Sequence, residues 1–174
     1  MKRLVLLAVP LVGALAYLCL AQSLRADDAA LSSDAKFVRD VGIMNTAEIN
    51  LAKLAKEHAS SDAVKKFADH VIKDHEKLAK ELKELAEPKN LTVPTEVDRK
   101  HQQIADHLAN MKGAEFDRMF ASNMVADHEL AIKKFEAEAR KGQDPDLKKW
   151  AEKSLKGLKE HLRLAKDTEK ELGN

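Results

Sequence analysis

A single cysteine, Cys19, occurs in the 174 residues, and it falls inside an apolar amino-terminal run that has the layout of a removable signal. Once that segment is gone the chain has no thiol. Disulfides and thiolate chemistry are then excluded, and any metal must be held by nitrogen, oxygen or thioether. Aromatic residues are scarce, at 4%, and β-branched runs are few, whereas Ala, Leu, Lys and Glu dominate. That composition belongs to long helices rather than sheets. Charge of one sign is also lacking: 30 basic against 29 acidic residues leave +1. No basic stripe with interleaved aromatics is present, which argues against nucleic acid as a partner. Neither a Ser-His-Asp pattern nor a phosphate-cradling glycine pattern occurs, so hydrolysis and nucleotide chemistry have no candidate residues.

At the amino terminus, Lys2 and Arg3 precede an apolar run from Leu4 to Leu20, followed by small and polar residues, as in a bacterial secretory signal. Residues 1–26 are read as a signal peptide, cleaved after Ala21 or after Ala26. Leu18 stands where a lipobox needs a small residue, which disfavours lipidation of Cys19. A retained anchor is the alternative, because the run is nearly long enough to span a membrane. The expected address is the periplasm, or an otherwise exported position in the bacterial envelope, with no stable membrane span after cleavage. Residues 34–172 are expected to form one all-α domain.

Four helical stripes organise that domain. The first runs through Phe37, Val41, Met44, Leu51 and Ala55, and Glu48 fills its gap. Ser60, Ser61 and Asp62 form a turn and N-cap, after which Val64, Phe67, Val71, Leu78, Leu82 and Leu85 make a second stripe with His75 in its gap. Residues 87–95 read as a loop, and residues 96–111 as a short polar helix ended at Lys112 and Gly113. The third stripe, Phe116, Phe120, Met124, Ala131 and Phe135, holds His128 in register. The fourth, Leu147, Ala151, Ser154, Leu158, Ala165, Thr168 and Leu172, holds His161. Phe67-Ala68 and Asp74-His75-Glu76 recur as Phe120-Ala121 and Asp127-His128-Glu129, at a constant offset of 53.

Counting rise along each helix puts Glu48 and His75 roughly 17 and 20 Å from their shared turn, and His128 and His161 roughly 20 and 25 Å from theirs. All four can meet near one midplane. Three imidazoles and a carboxylate suit Zn, Cu or Fe, so one such ion is the expected cofactor. Met44 and Met124 lie one turn before Glu48 and His128, where their thioethers can add soft donors that favour Cu(I). Asp74 and Asp127 are turned about 100° away from the histidines that follow them, and can orient a histidine of a neighbouring helix. A bland alternative stays open. The four groups can form a polar layer, satisfied by one another and by trapped water, that only sets helix register. His58, His70, His101 and His107 read as surface residues, with His70 pairing to Asp74 on an outer face.

These motifs resemble the DUF4142 family of exported bacterial proteins of unknown function, to which a ferritin-like fold is assigned. The matching residues are Phe37 with Met44 to Glu48, Phe67-Ala68 through Asp74-His75, Phe116-Asp117 through Met124 to His128, and Leu158 to Leu162. The resemblance implies a ferritin-like four-helix bundle with a long crossover, over residues 87–113, between the second and third long helices. It does not carry over di-iron chemistry. The positions three before His75, His128 and His161 are Ile72, Val125 and Leu158, so the Glu-x-x-His motif is missing.

The expected function is therefore an exported bundle that holds one transition ion through Glu48, His75, His128 and His161, in metal handling or envelope stress. The alternative is a non-enzymatic structural protein of the envelope, with another envelope protein or a second copy of itself as partner. A redox enzyme would need an open coordination position, which spacing does not reveal.

Overall fold

The computed structural model describes residues 31–173; the signal segment and both candidate cleavage points lie outside the described residues. Five α-helices follow in order: α1 Ser33–His58, α2 Asp62–Ala86, α3 Arg99–Ala109, α4 Gly113–Lys141 and α5 Pro145–Glu171. A single 3-10 turn, Glu87–Lys89, follows α2. No helix among the described residues is long and apolar enough to cross a membrane.

Local chemistry sets the helix ends. Ser61 accepts from the Val64 amide to start α2, and Asp144 accepts from the amides of Asp146 and Leu147, with Pro145 in the first turn of α5. The connecting helix, expected over 96–111, forms only over Arg99–Ala109 because Asp98 caps it, accepting from the His101 amide at 2.9 Å. Gly42 allows the crossover to lie flat on α1. A Cβ there would stand 2.9 Å from Pro94 Cδ and 3.0 Å from Val93 Cγ1.

Helix α1 packs on α2, and α4 on α5, as two hairpins; α1 also meets α4, and α2 meets α5. Two apolar clusters run through this bundle. One gathers Leu51, Val64, Phe67, Val71, Leu108, Phe116, Phe120, Met124 and Ala165. The other gathers Phe37, Val41, Met44, Leu82, Phe135, Leu147, Trp150 and Leu158, with Phe37 and Phe135 edge-to-face at 5.1 Å. Both α2 and α4 run from the first cluster to the second. Parallel neighbours in sequence need a connection as long as the bundle, and residues 87–112 supply it, with α3 packed against α1 on the way.

Each hairpin turn is held by a carboxylate from the other hairpin. Asp117 of α4, almost fully buried, accepts from the amides of Ser60 (3.1 Å) and Ser61 (2.9 Å). Asp34 of α1 accepts from the amides of Gln143 (2.9 Å) and Asp144 (2.8 Å). Four amides that the helix ends leave open are thereby paired, and the hairpins are locked in longitudinal register.

Beside Asp34 lies Glu138, only 5% exposed, with Oε1 unpaired among the described residues. Burial first, then the neighbouring Asp34 and Asp144 carboxylates, push its carboxyl up to about 7, against partial relief from Lys148. Unfolded, the same group loses its proton near 4.5. Its stabilising contribution is thus complete below that value and is lost as pH rises through about 7. Glu138→Gln should remove this component. In urea titrations, the stability of the variant relative to wild type should increase between pH 5 and pH 8, and parallel pH profiles would contradict the assignment.

Candidate metal centre

Between the two apolar clusters lies one polar layer. Its members, Glu48 of α1, His75 of α2, His128 of α4 and His161 of α5, are 2%, 3%, 0% and 1% exposed. The structure brings all four together. Glu48 Oε2 lies 3.1 Å from His75 Nε2 and 3.4 Å from His128 Nε2. His161 Nδ1 lies 3.2 Å from each of the same two nitrogens.

Which nitrogen of each ring carries its proton follows from the outer partners. Asn45 donates through Nδ2 to the His75 carbonyl at 2.9 Å, so its Oδ1 is the atom that faces His75 Nδ1, also at 2.9 Å. An amide oxygen only accepts. His75 Nδ1 therefore holds the proton and donates. His128 Nδ1 donates to the Met124 carbonyl at 2.8 Å, and His161 Nε2 donates to Asp74 Oδ2 at 3.1 Å. All three inward nitrogens are consequently bare lone pairs. They face one another and a carboxylate oxygen, Glu48 Oε2, that has no hydrogen-bond donor among the described residues.

Burial and mutual proximity keep the groups of the layer neutral. Burial, then the nearby imidazoles, hold His75 well below the usual histidine value, and burial followed by His161 brings His128 down to about 4. His161 is lowered by burial despite the opposing pull of Asp74. Burial, with a smaller push from Asp127, raises Glu48 well above the ordinary carboxylate range. Four inward acceptors therefore share at most the proton of one carboxyl group. The three histidines could hold a metal ion, with Glu48 Oε2 beside two of them. Glu48 Oε2 and His161 Nδ1 each lie 3.1–3.4 Å from the two Nε2 atoms, and the three histidines are the members whose donor atoms all lie within 4.8 Å of one another.

The other expected residues divide. Asp74 reaches His161. Asp127 makes no hydrogen bond to a histidine of the layer; its raised carboxyl is desolvated and faces His101 and Lys100 of α3. Met124 turns its side chain into the first apolar cluster, and its carbonyl rather than its sulfur serves His128. Met44 lines a cavity of about 20 Å³ shared with Glu48 and His75. His58 faces the Met111 carbonyl at 2.7 Å, and His101 pairs with Asp98 at 2.6 Å. Asn45 was not legible as a functional residue. An Asn inside a helix, three positions before a buried Glu, was the available signal, since Asn is an indifferent helix former.

An all-helical bundle with a Glu-His layer across its core is the class defined by this architecture. The chain belongs to the DUF4142 family, described as a domain of unknown function, whose model matches residues 20–168. Among solved structures, CopM in its Cu(II)-bound form is similar at a TM-score of 0.67 and 22% identity, over 79% of this chain and 96% of CopM. Cu(I)-bound and Ag-bound forms of CopM match at 0.65 and 0.63. A candidate secreted DUF305 protein from Streptomyces coelicolor matches at 0.70 and 13% identity, over 82% of this chain and 93% of that one. A DUF305 fragment from Deinococcus radiodurans matches at 0.69 and 14% identity, over 83% and 97%. At such identities the likeness is one of fold. No curated protein matches the chain.

The tautomer assignment is directly measurable. In the metal-free protein, long-range proton–nitrogen NMR should find His75 and His128 protonated at Nδ1 and His161 at Nε2. Protonation of His161 at Nδ1 would overturn the inward lone-pair arrangement.

Proposed function

We propose that this protein is an exported metal-handling bundle that holds one transition ion in its core through Glu48, His75, His128 and His161. The observation that carries the reading is that three imidazole lone pairs and the Glu48 carboxyl converge in the core with at most one proton among them. A polar layer that merely fixed register would be built from paired donors and acceptors, whereas here one carboxyl proton serves at most one of three inward lone pairs.

Imidazole and carboxylate donors suit copper, zinc or iron. Copper is favoured among them because CopM, a bundle of similar fold, is solved with Cu(II), Cu(I) and Ag bound. Asn45, the Met124 carbonyl and Asp74 act as the acceptors that fix ring orientation and raise the basicity of the ligating nitrogens. The cavity beside Glu48 and His75, at about 20 Å³, is large enough for one water and too small for an organic substrate. Buffering or delivery of the ion therefore fits better than turnover. The apolar leader after Lys2 and Arg3 supports an exported location.

Purified protein from residue 27 onward, reconstituted with Cu(II) or Zn(II) and desalted, should retain one ion per chain by elemental analysis. His128→Ala should fail to retain it while keeping its helical circular dichroism. Equal retention by wild type and variant, or none by wild type with any of copper, zinc and iron, would refute the proposal.

A further inference from the structure

His161 presents one nitrogen to the buried layer and the other to the surface. Its Nε2 lies 3.1 Å from Asp74 Oδ2, and the same oxygen lies 3.5 Å from His70 Nε2. The His70 ring packs edge-to-face on that of His161 at 5.1 Å. Donor atoms of His70, Asp74 and His161 all lie within 4.8 Å of one another. Unlike the inner layer, this trio is open: His70 and Asp74 are 43% and 38% exposed.

A groove between α2 and α5, about 160 Å³ in volume, leads to the same place and is bordered by Asp74, Ser154, Gly157 and His161. Gly157 stands one turn before His161 on the same helix face, and a Cβ there would meet nothing within 4 Å. Glycine inside a helix costs about 1 kcal/mol relative to alanine, and no close packing requires it here. Its effect is to leave the groove beside His161 uncovered. Behind the other two rings stand Asn45, at His75, and the backbone of α4, at His128.

We propose that His70, Asp74 and His161 Nε2 form a second, surface-facing metal site that captures the ion and passes it to the buried layer. This rests on the metal reading of the core. Two imidazole nitrogens and a carboxylate oxygen suit a divalent transition ion, and water completes the open side. When an ion takes Nε2, the proton there moves to Nδ1, which then donates to His75 Nε2 or His128 Nε2 at 3.2 Å. On transfer inward the ion takes Nδ1, and the proton returns to Nε2 and Asp74. No net proton is lost at His161, and the two sites are filled in turn rather than together. His70, read from sequence as a surface partner of Asp74, thus gains a role as a ligand.

Rapid mixing of the metal-free protein with aqueous Cu(II), followed by electron paramagnetic resonance, separates the two sites. His70→Ala and Gly157→Leu leave all inner ligands in place. Both should end with one Cu(II) per chain and the wild-type spectrum, but load roughly tenfold more slowly, the scale on which loss of a supporting group acts. In His128→Ala, where the inner set is broken, Cu(II) titration should still reveal a weaker site, which adding His70→Ala removes. Wild-type loading rates in both surface variants, or a weak site indifferent to His70, would overturn the proposal while leaving the core reading intact. If wild type gives no buried copper spectrum, the core reading falls and the hand-over with it.

Discussion

At the centre of an apolar bundle, His75 Nε2 and His128 Nε2 each lie 3.1–3.4 Å from Glu48 Oε2 and from His161 Nδ1, so three imidazole lone pairs and one carboxyl group crowd together with at most one proton among them. Burying each polar group unpaired would cost about 1–3 kcal/mol, a large part of the stability of an ordinary domain. The rest of the core is arranged around that constraint. One apolar cluster lies on each side of the layer, and each ring is turned inward by an acceptor fastened behind it. Low dielectric strengthens both attraction to a cation and repulsion among like groups.

Level placement of four residues on four helices demands accurate longitudinal register. The bundle obtains it at its ends. Asp117 ties the α1–α2 turn to α4, and Asp34 ties the α4–α5 turn to α1, so neither hairpin can slide without stripping a carboxylate of its amides. The long crossover lets α2 and α4 run in the same direction. That brings the repeated Asp-His motifs, Asp74-His75 and Asp127-His128, to one height but into different surroundings. Asp74 points across to α5 and holds His161, whereas Asp127 faces α3 and serves none of the rings.

Much of this was legible in sequence because helical periodicity is local. Gaps in four apolar stripes revealed Glu48, His75, His128 and His161, and a rise per residue was enough to place them level. The protonation pattern was not legible, because it depends on partners that periodicity does not connect. Asn45 meets His75 across 30 positions, and Asp74 meets His161 across 87. The same limit hid the latches, since Asp117 finds Ser60 and Ser61 only after the hairpins dock. The repeat also misled in one respect: equal spacing suggested equal roles for Asp74 and Asp127, and tertiary environment separated them. Likewise Met124, one turn from His128, contributes its carbonyl, because its side chain is drawn into the apolar cluster of Phe116 and Phe120.

The central claim is that one cation sits among the four inward atoms. An anomalous-difference map at the copper edge, from crystals of the copper-loaded protein, tests it most directly. It should show one strong peak between α1, α2, α4 and α5, with His75 Nε2, His128 Nε2, His161 Nδ1 and Glu48 Oε2 each at about 2.0–2.2 Å. A peak confined to other residues, or a core layer that closes on itself with water and no metal, would contradict the account.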